Sequence, residues 1–126
     1  MTWFAASLIV WSRSYEEQER GDGPCHVWER VLVVEAEDVD EATRKVTEFG
    51  EADVADNSEN VETGDNVGMD RLTLMGVRKI REIDALTGDG HAELPVEVTF
   101  SEMEVRNKAV LLKLAAGGDV LVRYID

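Results

Sequence analysis

The sequence predicts an α+β fold: a mainly antiparallel sheet of about five or six strands with one principal helix packed on one face. Three observations lead there. An apolar run opens the chain, a capped amphipathic helix follows a second such run, and the remainder consists of strand-like segments separated by turn signals. With 126 residues, 44% of them hydrophobic and 32% charged, residues 1–126 form one domain large enough to bury its own core.

Residues 3–12 (WFAASLIVWS) read as the first strand. Trp3, Ala5, Ile9 and Trp11 alternate with Phe4, Ala6, Leu8 and Val10, so both faces are apolar, as in the centre of a sheet rather than at its edge. The glycine-marked, charged segment SYEEQERGDGP that follows reads as a loop or the frayed end of a hairpin. Residues 26–37 give a second strand. One of its sides carries Trp28, Leu32, Val34 and Ala36, interrupted only by Arg30; on the other, Val27, Val31 and Val33 alternate with Glu29 and Glu35.

Asp38 is placed as a helix N-cap, with Glu41 three residues later in the capping-box relation. Val39, Ala42, Val46 and Phe49 then recur at helical spacing on one face. Asp40–Arg44, Glu41–Lys45 and Arg44–Glu48 are i,i+4 pairs, each contributing about 0.2–0.5 kcal/mol. Gly50 is expected to stop the helix in a left-handed cap. Residues 51–70 (EADVADNSENVETGDNVGMD) then read as a long acidic loop, with at most a short helical continuation at its start.

Residues 71–83 are strand-like, with a kink or bulge expected near Gly76. TGDGH (87–91) makes a turn. Residues 92–100 alternate, with Ala92, Leu94, Val96, Val98 and Phe100 on one side. Residues 109–114 and 120–125 flank AAGGD and are expected to close the chain as a hairpin.

The net charge of -14 is unevenly spread. Between Glu35 and Asp70 there are 13 acidic residues against two basic ones, Arg44 and Lys45; the rest of the chain has 14 acids and 11 bases. Such a field opposes phosphate backbones and anionic lipid and favours basic partners, so neither nucleic acid nor a membrane is expected. The three tryptophans do not alter this, because stacking on bases also needs a basic groove. Trp3 and Trp11 share a strand face and are expected to fill the core beneath the helix. The opening apolar run is too short to span a bilayer and has no basic leader, and Cys25 is the only cysteine. A cytoplasmic protein without disulfides is expected.

WFAASLIV at 3–10, ERVLVVEAEDVDEA at 29–42 and LMGVRKIREI at 74–83 together resemble a small bacterial family known only as a domain of unknown function. The family pattern is a W-[FY]-A-A opening strand, an E-A-x-[SD]-x-[ED]-E-A strand-to-helix segment and a glycine-containing strand ending in E-[IL]. The resemblance covers about the first two thirds of the chain and implies a small soluble bacterial protein with no established activity. It brings no catalytic residue with it.

Motifs for chemistry fail on spacing. A calcium loop started at Asp56 has Ser58 and Asn60 at its third and fifth positions, but Val61 and Val67 stand where glycine and the bidentate glutamate belong. Cys25, His26 and the separate His91 fall short of a four-ligand zinc site. The two GDG triplets extend to neither a dinucleotide nor a phosphate loop, and no serine sits in a G-x-S-x-G elbow. No metal, cofactor or catalytic residue is assigned.

The sequence therefore reads as a non-enzymatic protein-interaction or regulatory module, of which an immunity protein is one version, binding a basic protein partner. Asp53, Asp56, Glu59 and Glu62 are the candidate partner-binding residues. The alternative is a small enzyme or ligand-binding domain with a pocket between sheet and helix; the oligomeric state stays open. The failed spacings lead us to expect that a chelator, at matched ionic strength, leaves the melting temperature unchanged. A drop of more than a few degrees would mean a bound metal stabilises the fold.

Overall fold

The computed structural model describes residues 2–13, 23–59, 71–84 and 93–125. Within them, β1 (Thr2–Arg13) and β2 (Cys25–Ala36) lead into α1 (Val39–Glu59), followed by β3 (Arg71–Ile83), β4 (Val96–Val105), α2 (Lys108–Ala115) and the short β5 (Arg123–Ile125). The five strands form one sheet in the order β3-β1-β2-β4-β5, every neighbouring pair antiparallel. The α+β class and the helix packed on one sheet face are as the sequence predicts. No described helix is long and apolar enough to cross a membrane.

β1 and β2 pair from Thr2 opposite Ala36 to Ser12 opposite His26, which fixes what each face carries. Phe4, Ala6 and Leu8 share one face with Leu32, Val34 and Ala36, and α1 closes over them with Ala42 and Val46. Ile9 shares the opposite face with Val27 and Cys25. There α2 covers the other end of the strands, packing Leu111, Leu114 and Ala115 on Met103 and Val105. The two helices thus lie on opposite faces and at opposite ends of the sheet.

α1 begins where its cap predicts. The Glu41 amide donates to Asp38 Oδ1 at 2.8 Å, and Glu41 Oε1 accepts from the Glu37 amide at 3.4 Å. It does not stop at Gly50, as expected from sequence, but continues to Glu59, so the first part of the predicted acidic loop is helix. Gly50 is a close-packing residue instead. A Cβ there would lie 3.0 Å from Leu8 Cδ1 and 3.1 Å from Leu74 Cδ2, so its lack of a side chain lets the helix approach the sheet. Residues 60–70, the rest of that loop, and the turn at 87–91 lie outside the described residues.

The bulge expected near Gly76 is present. The β1–β3 register shifts on both sides of it, leaving Met75 and Arg78 as extra residues. The closing hairpin is not. Residues 108–115 form α2, capped by Asn107, whose side chain accepts from the Val110 amide at 2.9 Å. Gly117, at φ +90, ends it, and the Gly117 and Gly118 amides return to the carbonyls of Leu114 and Lys113. The fourth strand also starts later than expected, at Val96, and its apolar residues do not share one side. The register shift at Val98 puts Val96 on the Val33 face and Phe100 on the Arg30 face, and Leu94, Val96, Val98 and Phe100 are all exposed.

Val46 is fully buried under α1. Placing an unpaired carboxylate there with Val46→Asp is expected to cost about 3–5 kcal/mol, read as a cooperative loss in urea unfolding. A melting temperature within about a degree of wild type would show that this helix face does not carry the core.

Candidate interaction surfaces

Arg30 is the polar interruption on an otherwise apolar side of β2, and the structure accounts for it. Its side chain is 14% exposed and meets carboxylates from two other elements. Nε and Nη2 donate to Glu97 Oε1 and Oε2, both at 2.9 Å, a bidentate pairing with the start of β4. Nη1 bonds Asp53 Oδ2, late in α1, and the guanidinium lies 5.8 Å from the centre of the Phe49 ring. The hydrogen bond to Glu97, against the cost of burial and helped by Asp53, holds Arg30 still further above its ordinary value. The same hydrogen bond holds Glu97 below the usual carboxylate range, again against its desolvation.

This changes the standing of the four acids singled out from sequence. Asp53 is part-buried and engaged with Arg30, so it is not offered freely to another protein. The backbone of α1 runs through Asp56 and Glu59, whose side chains, like all of Glu62, lie outside the described residues. The four acids chosen from sequence left out other exposed ones: Glu37 and Asp38, which precede α1, and Asp40, Glu48 and Glu51 on it, of which Glu48 is paired with Arg44. Both cations of this helix are used internally. Arg44 Nη1 reaches Glu48 at 3.2 Å; Lys45 Nζ donates to the Glu35 carbonyl at 2.9 Å and lies 3.4 Å from Glu41.

Cys25 and His26 are adjacent in sequence but not in chemistry. Strand alternation sends them to opposite faces: Cys25 is buried under α2, while His26 stacks on Trp28 and lies 3.1 Å from Glu102. Among the described residues, no three His, Cys, Asp or Glu side chains converge as a metal site. Nor do the tryptophans fill the core beneath α1. Trp11 packs against the α2 cluster, with Lys108 Nζ 5.9 Å from its ring centre, and Trp3 lies on that same opposite face. Trp28 contacts Phe100 at 5.1 Å between ring centres.

β4 supplies a second surface. β5 pairs with it only at Glu102, Met103 and Glu104, while Leu94, Val96, Val98 and Phe100 are exposed. The signal for this was Pro95, which stands just before the strand as proline does at sheet edges. Comparison with protein-family models, with curated proteins and with solved structures gives no match to any of them.

Arg30→Ala leaves two carboxylates facing each other and is expected to destabilise the fold by about 2 kcal/mol near neutral pH. That falls below the roughly 3–5 kcal/mol of a fully buried pair because both acids keep contact with water. Glu97 titrates below its ordinary 4.5 in the folded chain, so its contribution is complete above that value and is lost as pH falls through the depressed one. Urea unfolding should therefore show the gap between wild type and variant narrowing below about pH 4. An unchanged gap would mean that Arg30 acts by packing its stem rather than by its charge.

Proposed function

We propose that this chain is a non-enzymatic protein-interaction module whose acidic side, formed by α1 and the segment after it, receives a basic protein partner. The observation that carries this reading is the one-sided charge of α1. Its exposed acids face outward while Arg44 and Lys45 are held by groups of the same chain, so the positive charge that would neutralise the surface is already engaged. A surface of this kind acts mainly by raising the encounter rate with an oppositely charged partner, and salt weakens it. A cytoplasmic setting suits a chain with a single cysteine.

The test is affinity capture from the native lysate with three forms of the protein, each at low and at high salt. Two are variants: Glu37→Gln/Asp40→Asn/Glu51→Gln, just before α1 and along it, and Asp56→Asn/Glu59→Gln/Glu62→Gln, at its end and just after it. Asp53 is left intact because removing it would disturb Arg30 as well. We expect a basic protein to be retained by the wild type, weakened by salt, and weakened by one or both variants with no loss of melting temperature. Single changes on such a surface are worth only about 0.2–1 kcal/mol, which is why acids are neutralised in groups. Equal retention by all three forms at both salts would reduce the acidity to a solubility feature.

A further inference from the structure

Among the described residues, six large apolar side chains are more than half exposed: Leu94, Val96, Val98, Phe100, Leu121 and Tyr124. All six lie in or beside β4 and β5, on one side of the sheet. The main chain tells the same story. β5 ends opposite Glu102, so from Val96 to Ser101 the outer edge of β4 has no strand beside it among the described residues. We propose that this edge is a homodimer interface, in which β4 pairs antiparallel with β4 of a second copy about a two-fold axis near Val98.

Three observations favour a second copy over another occupant. The first is fit. Antiparallel pairing of a strand with itself is self-complementary, as a two-fold interface requires. An axis at Val98 brings Val98 of the two copies together; the bulge there turns Val96 to the Val33 face and Phe100 to the Arg30 face, so apolar side chains border the seam on both faces of the joined sheet. It also brings Pro95, which has no amide hydrogen to donate, opposite Ser101. The new ladder therefore ends where β5 begins.

The second is the lack of the usual edge protection. Sheet edges are commonly guarded by lysines or by a charge aimed along the rim. The stretch from Val96 to Ser101 contains no lysine, and its single charge, Glu97, is drawn to Arg30 by the bidentate pair. A register shift makes Val98 the extra residue of a bulge, itself a common edge device, but here it presents an apolar side chain.

The third is charge. The acids of β4, Glu97, Glu102 and Glu104, are each met by a side chain of this chain, Arg30, His26 and Arg123, in contrast to the 13 acids and two bases between Glu35 and Asp70. A basic partner has little electrostatic reason to choose this edge. Two copies can meet at it with their acidic sides apart, because α1 packs toward β3 at the other end of the strand order. At physiological salt, charges separated by more than about 8 Å are largely screened.

The test is sedimentation of the full chain from low micromolar to about 100 µM, a range suited to a small interface. Wild type is expected to approach twice the monomer mass of 14.0 kDa as concentration rises. Val96→Lys/Val98→Lys is expected to remain monomeric, and since both positions are half exposed its melting temperature should match wild type. As an independent check, Val98→Cys should form a disulfide-linked dimer on mild oxidation, whereas Asp40→Cys, on the acidic helix, should not. A wild type that stays monomeric throughout the range overturns the proposal, and so does a dimer that the lysine variant leaves intact. If Val98→Cys crosslinks in lysate to a different protein and never to itself, the edge belongs to a foreign strand and the second copy is wrong.

Discussion

The central strand pair has two apolar faces, and one layer of helix cannot bury both. β1 presents Phe4, Ala6 and Leu8 on one side and Ile9 and Trp11 on the other; β2 matches them with Leu32 and Val34 against Cys25 and Val27. Burying a side chain of this size contributes about 1.5–3 kcal/mol, so leaving either set in water would forfeit much of the stability available to a small domain. The chain meets the constraint with α1 over one end of one face and α2 over the other end of the other. The remaining architecture follows: Gly50 permits the close approach of α1, the bulges around Gly76 reshape β3 beside α2, and β5 is reduced to a three-residue strand.

Arg30 ties this arrangement together laterally. It stands on the α1 face of β2 and links the late part of α1, through Asp53, to the start of β4, through Glu97. Its bond to Asp53 gives α1 a reason to persist past Gly50 through a stretch that is acidic and has no basic residue in its last turn. Its pairing with Glu97 has a second effect, because the carboxylate that would otherwise charge the free rim of β4 is turned inward. One cation thus shapes both the acidic helix and the apolar edge.

Much of the fold was legible because local signals and tertiary demand agreed. Asp38 with Glu41, followed by Ala42, Val46 and Phe49, specified the start and buried side of α1, although Val39, at the same spacing, is exposed in the first turn; the two-sided apolarity of β1 specified its central place. The misreadings arose where one local pattern serves two structures. Gly50 has the sequence appearance of a helix stop, but a glycine that ends a helix and one that packs against a neighbouring strand look alike until the strand is in place. AVLLKL is short enough to read as strand or helix, and the arbiters were outside it, Asn107 as cap and Gly117 as stop. The surfaces were less legible for the same reason. Arg30 was visible as an anomaly on an apolar side, but nothing near it in sequence identified Asp53, 23 residues away, or Glu97, 67 residues away, as its partners.

The sheet order separates charge from apolar exposure. α1 packs on β1, β2 and β3, drawing on Leu74, Val77 and Ile80 of the last, and so carries its acids toward the β3 side; β4 and β5 form the other side, where Glu97, Glu102 and Glu104 are met by Arg30, His26 and Arg123. These surfaces act on different stages of association. A screened charged face changes how often partners meet, whereas a desolvated apolar ladder changes how long they stay together. Had the acids lain along β4, repulsion between like copies would oppose any pairing there, and a basic segment would compete for the edge. With the acids held at the opposite end of the strand order, the β4 edge can pair with another chain while the α1 face stays open to solvent. Among the described residues Arg30 joins the two faces through Asp53 and Glu97, so a change that spares it alters one face and leaves the other in place.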